Sequence, residues 1–371
     1  MKKYIKPKYI FNVAVLGLCV GIILYFFFSK NGLRDLLNSN TPIIWEWIII
    51  ALVSEITFMI FESSVIYVFI KDGYPNFRFI DAVKVAMMGL FWCAVTPSST
   101  GGQPMQVYLL YSMKIPIGFS TSRLIQKFMV YQVILTFINI VSVFVNISTI
   151  VAQPGNKVRV IIVLLALGFI TQIGVTVMFL IFSFSEKVSH KIVMLFAKIL
   201  NKIRIVKNVD EKIGGIEKQL ESFHSSNREI YKKPKLLVKV SILTFCQFIA
   251  MFLVSYFIYR GLGFNETGPI QIISCQAIVN LVSGMIPIPG ASGAAELSFT
   301  VFFGPFFIRG TLKSAALIWR FINYYAVVFI TAPFAYLSKG KTEEGKKAEE
   351  AEKAQEAEKT KETEKIEAVT E

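Results

Sequence analysis

Apolar runs of about 20 residues recur along the chain, and each is long enough to cross roughly 30 Å of hydrocarbon. That repetition admits few folds, because backbone amides in lipid must be satisfied inside a helix or a closed barrel. Six segments read as full spans: about 9–28, 42–70, 120–151, 158–183, 236–260 and 311–338. Composition agrees, with 54% hydrophobic residues, 33 Phe and only 17% charged residues. A soluble domain is less apolar and more charged. The fold class expected is an all-α integral membrane protein.

Two further apolar segments are interrupted. The segment 79–113 is broken by Thr96-Pro-Ser-Ser-Thr-Gly-Gly-Gln-Pro104, and 268–308 by Pro287-Ile-Pro-Gly-Ala-Ser-Gly293. Charge then orders the topology. The loop 186–235 carries twelve Lys/Arg against six Asp/Glu, and Lys2, Lys3, Lys6 and Lys8 precede the first span. Both regions are therefore expected in the cytoplasm. Four full spans separate them, so 79–113 must enter and leave on one side, as a re-entrant pair of half-helices. The same logic makes 268–308 a hairpin from the opposite face and returns the C-terminus to the cytoplasm. Each half reads span, span, broken hairpin, span. An odd number of crossings per half gives two inverted halves, the plan of many transporters. The run 9–28 is too long for a signal peptide and lacks a small-x-small cleavage site, so it reads as a retained span.

Residues 186–235 read as amphipathic cytoplasmic helices, with Ile192, Leu195, Phe196 and Ile199 at helical spacing. Such helices suit an anionic lipid surface, and plain solvated helices or helices packed on the membrane domain fit the pattern equally. His190 and His224 read as solvated loop residues. Residues 1–338 thus form the membrane domain. Residues 339–371 are rich in Lys, Glu, Ala and Thr, hold no aromatic residue, and read as a disordered cytoplasmic tail.

The interruptions hold the first candidate site residues. Pro97 and Gly101-Gly102 stop a helix, and Pro104 suits the first turn of the next. Backbone amides at such an N-terminus, with Ser98, Ser99, Thr100, Gly101, Gly102 and Gln103, are expected to form an anion site fit for a lipid phosphate. In the second interruption Pro287, Pro289 and Gly290 end one half-helix. Ser292 is expected to cap the next, and Glu296 lies in its first turn. A structural kink that eases helix packing would leave the same pattern.

Ionisable residues within the spans complete the set. A charge at mid-bilayer costs roughly 2.5–3.5 kcal/mol on insertion scales, so such residues usually face a wet interior. Glu55 and Glu62 share one helix face, about 10 Å apart along the axis. Arg123 and Lys127 share another, and Arg320 sits inside the last span. Gln132, Asn139 and Asn146 repeat every seven residues and suggest hydrogen bonding between helices. Cys19, Cys93, Cys246 and Cys275 are scattered in apolar stretches, with no Cys/His cluster, so neither disulfide nor metal is expected. No Walker A motif or nucleophile triad is present, and no cofactor is implied.

The stretches TPSSTGGQP (96–104), SRLIQK (122–127) and NLVSGMIPIPGASGAAE (280–296) resemble the lysylphosphatidylglycerol synthase transmembrane family, also called flippase-like domain proteins. The resemblance covers about residues 5–338. In the multiple peptide resistance factors this membrane domain precedes a synthase domain that transfers lysine from lysyl-tRNA to phosphatidylglycerol. The membrane domain moves the product to the outer leaflet. The resemblance implies a multi-pass protein of a bacterial plasma membrane and a link to cationic-peptide resistance. Here the charged tail stands where relatives carry the synthase domain. The favoured expectation is a translocase for an anionic or aminoacylated phospholipid such as lysylphosphatidylglycerol. Its phosphate would meet the half-helix ends with Arg123, Lys127 or Arg320, and an ammonium would pair with Glu62, Glu55 or Glu296. One alternative is a phosphatidylglycerol lysyltransferase, or its membrane subunit with a separate synthase protein, and only that alternative brings a nucleic-acid partner. Another is a scaffold for envelope synthesis. Homo-oligomerisation is left open.

Overall fold

The computed structural model describes residues 43–202, 209–308 and 311–335, with side chains omitted at 196–202, 209–214 and 289. The expected span 9–28 and the tail 339–371 lie outside the described residues. Among those described the structure is helical throughout, with no strand. In chain order the helices are α1 (Trp45–Lys71), α2 (Phe79–Val95), α3 (Gly102–Ser112), α4 (Ile117–Val145), α5 (Ile147–Val151) and α6 (Gly155–Phe184). There follow α7 (Glu186–Lys202), α8 (Val209–Tyr231), α9 (Pro234–Gly261), α10 (Pro269–Ser283), α11 (Ala294–Phe303) and α12 (Thr311–Ala335).

Five of these, α1, α4, α6, α9 and α12, are long and apolar enough to cross a membrane. They match five of the six expected spans. Their apolar faces point both ways. Ile49, Val53 and Ile60 on α1, and Ile162, Ile170 and Phe184 on α6, are exposed as a lipid-facing belt requires. Helix α6 is peripheral, with 22% of its most apolar stretch buried, whereas 56% is buried in α12, which therefore belongs to the interior.

Helices α1 and α9 pack along one another at the centre. Ser54 donates to the Ala250 carbonyl at 2.8 Å, which spends the hydroxyl on the partner helix. Gly261 lets Trp47 and Ile48 approach, since a Cβ there would lie 2.6 Å from Ile48 Cδ1.

The interrupted segments fold as the Pro and Gly residues dictate. Helices α2 and α3 meet at a turn over 97–99, and α10 and α11 at a turn over 289–291. The packing of the two pairs is reciprocal. Helix α2 lies against α12, where Phe91 packs with Tyr324, Tyr325 and Val328. Helix α10 lies against α4, where Ala277 packs with Leu135 and Ile138. The first broken pair thus touches α12 through Phe91, and the second touches α4 through Ala277.

Helix α8 packs on the membrane-spanning helices. Phe223 and Leu220 meet Ile125 and Met129 of α4, and Gln219 Oε1 accepts from the Gly118 amide at 2.8 Å. His224 is not the solvated residue expected from sequence. It is 7% exposed and lies 2.7 Å from Ser189 Oγ, because the α7–α8 contact covers it.

Candidate functional site

The first interruption is strained. Ser98 and Ser99 adopt left-handed φ values of 51° and 54°. Each such residue costs roughly 1–2 kcal/mol without a glycine. Strain of this kind persists where surrounding structure enforces it, and it clusters at functional sites. The enforcement here is local. Thr96 Oγ1 donates back to the Trp92 carbonyl at the end of α2 and accepts from the Gly101 amide across the turn. The Gly101 amide is therefore spent inside the turn, and α3 begins at Gly102 with Pro104 in its first turn. Gly102 is required by proximity: a Cβ there would meet Cys93 Sγ at 2.2 Å and the Gly89 carbonyl at 2.9 Å.

The second turn is left-handed too, with φ of 60° at Gly290, 49° at Ala291 and 84° at Gly293; the glycines adopt these values freely, and Ala291 carries the strain. The cap differs from the expectation. Gly293, not Ser292, precedes α11, and the Glu296 carboxylate accepts from the Gly293 amide at 2.6 Å. Ser292 instead accepts from Arg320. The guanidinium of Arg320 gathers the whole turn: Nη2 donates to the Gly290 carbonyl at 2.6 Å and to Ser292 Oγ at 3.0 Å, and Nε lies 3.0 Å from Glu296 Oε1. It also sits 4.3 Å from the Tyr324 ring centroid.

The two turns, about 190 residues apart in sequence, touch each other and line one cavity of about 320 Å³. Ser98 and Ser99 form one wall, Gly290 and Ala291 another, and Glu55 and Arg320 reach it from α1 and α12. Helix α10 adds the neutral polar side chains of Gln276, Asn280 and Ser283. Glu55 is 2% exposed. With its amide oriented as the neighbours require, Asn323 donates to Glu55 Oε2 at 2.8 Å and accepts from Trp319 Nε1 at 2.5 Å. These residues sit where α12 widens into a π-helical stretch over Phe321–Ala326, a feature frequent at functional sites. The Tyr324 hydroxyl then reaches across to the Ala94 carbonyl at 3.1 Å, joining α12 to α2.

The remaining expected site residues lie elsewhere or are engaged. Lys127 forms an ion pair with Glu62, whose other oxygen accepts from Gln247 Nε2 at 2.9 Å. Both charges are committed to each other between α1, α4 and α9. Arg123 is completely buried near the start of α4, 3.0 Å from Asp72 Oδ2 and over the Phe119 ring. Asp72 in turn holds Lys233 at 3.0 Å, and Lys233 holds Glu229 at 2.6 Å. Hydrogen bonding from Lys233 keeps the Glu229 carboxyl below its ordinary range, and Glu229 and then Asp72 push Lys233 above its own. This chain of charges fastens α8 and the start of α9 to α1 and α4. Arg123 and Lys127 therefore do not line the chamber as a phosphate site would require. Thr100 donates to the Pro97 carbonyl at 2.9 Å, while Gln103 is half-buried on α3 and Pro287 is exposed, neither lining the chamber.

Sequence reading missed Gln276, Asn280, Tyr324 and Cys93 as chamber residues. A polar side chain within an apolar half-helix is the signal that could have found Gln276 and Asn280. The partner of Arg123, Asp72, carried no signal, since it looks like an ordinary residue at a helix end.

A family model described as the lysylphosphatidylglycerol synthase TM region matches residues 10–331. The chain belongs to this family. The matched region takes in both interruptions and every residue of the chamber between them. A relative described as a UPF0104 membrane protein, from Archaeoglobus fulgidus, is 23% identical over 292 residues, which is 78% of this chain and 85% of that protein. No solved structure matches. This member of the lysylphosphatidylglycerol synthase TM region family is a multi-pass membrane protein, with a polar chamber at the meeting of its two broken helices.

Proposed function

We propose that the protein is a phospholipid translocase. The observation that carries this reading is the shared chamber, in which two strained, polar turns from different halves face each other inside a membrane-spanning helix assembly. Interrupted helices at corresponding places in two repeats mark the binding site of many transporters. A chamber of this size holds a head group and not a whole lipid, so the acyl chains stay in the bilayer. The Ser98 and Ser99 hydroxyls are exposed donors for phosphate oxygens. Arg320, its charge balanced by Glu296, shapes the far wall, because its donors hold the second turn.

The substrate is an anionic or aminoacylated phospholipid such as phosphatidylglycerol or lysylphosphatidylglycerol, in keeping with the family description, and its movement would support resistance to cationic peptides at a plasma membrane. Glu62 and Glu296 already have cations, which leaves them no role in binding a free ammonium. A leaflet-resolved assay in proteoliposomes, with fluorescent phosphatidylglycerol and a membrane-impermeant quencher, tests the proposal. The expected result is flipping well above protein-free liposomes; equal rates across anionic and aminoacylated lipids reject it. Lipid extracts from cells expressing the chain address the enzymatic reading, since newly formed lysylphosphatidylglycerol would support a lysyltransferase.

A further inference from the structure

Three carboxylates occupy the membrane part around the chamber, and their surroundings differ. Glu62 has Lys127 and Gln247. Glu296 has Arg320 and the Gly293 amide. Glu55 is more buried than either, yet its partner is the neutral amide of Asn323, and among the described residues no cation lies within ion-pairing distance of it. Protonating Glu62 or Glu296 would break an ion pair. Protonating Glu55 breaks none.

Glu55 also shares its chamber with the proposed head-group site. Cys93 faces the chamber from α2, and Arg320 and Tyr324 face it from α12. Arg320 is balanced by Glu296 of α11. Helices α9 and α10 present only neutral groups to it, Met251 from the former and amides and a hydroxyl from the latter. Helix α4 places Lys127 and Tyr131 near Glu62, a position two turns along α1 from Glu55.

With the fixed charges paired, an anionic head group and an ionised Glu55 would be two uncompensated negative charges in one chamber. We infer that Glu55 is a proton-binding site that couples lipid movement to a proton gradient, one proton travelling with one monoanionic head group. This deepens the translocase reading and rests on it. The proton comes from water on the side to which the chamber is open, binds a Glu55 carboxylate oxygen, and returns to water on the other side. The bound pair carries no net charge, and no further reactant is needed. Proton and head group then strengthen each other's binding reciprocally, as any two coupled ligands must.

The test uses the purified full chain in liposomes that hold a pH-sensitive dye, with fluorescent phosphatidylglycerol in one leaflet. Acidifying the side from which the lipid departs is expected to speed flipping roughly tenfold, within the usual range of coupling between sites. Dye readings should show proton entry accompanying lipid movement. A potassium diffusion potential without a pH difference should change nothing, because the transported pair is neutral. In Glu55→Gln the ratio of rates with and without the gradient should fall to one, and Glu55→Asp should retain it. Wild-type flipping that ignores the gradient, or proceeds without proton entry, overturns the coupling and leaves the translocase reading standing. A full gradient response in Glu55→Gln places the proton elsewhere and also overturns it. Wild-type rates equal to protein-free liposomes would remove the translocase reading itself. Should Glu55→Gln fail to fold, the wild-type proton measurement decides alone.

Discussion

Arg320 Nη2 lies 2.6 Å from the carbonyl oxygen of Gly290, and this bond ties the last span to the second interruption. The same guanidinium reaches Ser292 and Glu296, so one side chain holds a left-handed turn whose backbone is strained at Ala291. Removing it should loosen the turn. Arg320→Ala is expected to cost about 1–3 kcal/mol, less than a fully buried pair because Glu296 is partly exposed. It should also abolish most flipping. Arg320→Lys keeps the charge but loses the planar fork, so stability should recover more than activity. Thermal unfolding in detergent and the flipping assay, run on the same preparations, check both parts.

Gly290 offers a second probe of that turn. Its φ is 60°, and a Cβ would stand 2.3 Å from Tyr324 Cε2. Gly290→Ala should destabilise by at least about 1 kcal/mol through backbone strain alone, and should displace the Tyr324 ring from the chamber wall. A melting temperature equal to wild type would show that the turn is not held as described.

Arg123 should behave as a structural latch. It is fully buried and bonded to Asp72, with its Nε and Nη1 unpartnered. Arg123→Met leaves Asp72 with Lys233 as its remaining cation and is expected to cost about 1–3 kcal/mol, and Arg123→Met with Asp72→Asn should cost less than the two single changes added together. The double-mutant cycle is read by thermal unfolding. Additive losses would mean that the pair is not coupled.

Helix α8 supplies a pH dependence. Burial holds His224 below its ordinary value of 6.5. The undocked side chain therefore takes up a proton first as pH falls, while the docked one resists it. Docking is complete above about 6.5 and weakens below it. Hydrogen exchange of residues 215–231, corrected for intrinsic rates and compared above and below that pH, should show lost protection on the acid side. Protection that is flat in wild type would contradict the account.

Much of this architecture was legible in sequence, for reasons that differ by residue. Span length alone locates α1, α4, α6, α9 and α12, because hydrocarbon thickness fixes how many apolar residues are needed. The Pro and Gly clusters mark both turns, since no continuous helix accommodates them. The polar stripe on α4 also reads correctly at two positions: Asn139 donates to Gln172 at 2.9 Å and Asn146 to Ser274 at 2.7 Å. What sequence could not supply is partnership. Glu62 finds Lys127 and Arg123 finds Asp72 across distances that only tertiary packing closes. Ser292 looks like a helix cap, yet Glu296 caps Gly293 and Arg320 takes the serine. The π-helical widening at Phe321–Ala326 leaves no mark in the residues themselves.

Cys93 provides a chemical view of the chamber. It lines the cavity and is half-buried, whereas Cys275 is 2% exposed and faces the Phe302 carbonyl. Small polar thiol reagents should modify Cys93 well before Cys275, and phosphatidylglycerol should slow the reaction at Cys93. Mass spectrometry of the labelled protein distinguishes the two sites.

The most direct measurement is an experimental structure of the protein in a bilayer disc containing phosphatidylglycerol. The account predicts head-group density between the Ser98–Ser99 turn and the Gly290–Ala291 turn, within hydrogen-bonding reach of the serine hydroxyls, with the acyl chains extending into the lipid. Lipid density confined to the outer belt, with the two turns packed dry against each other, would contradict it.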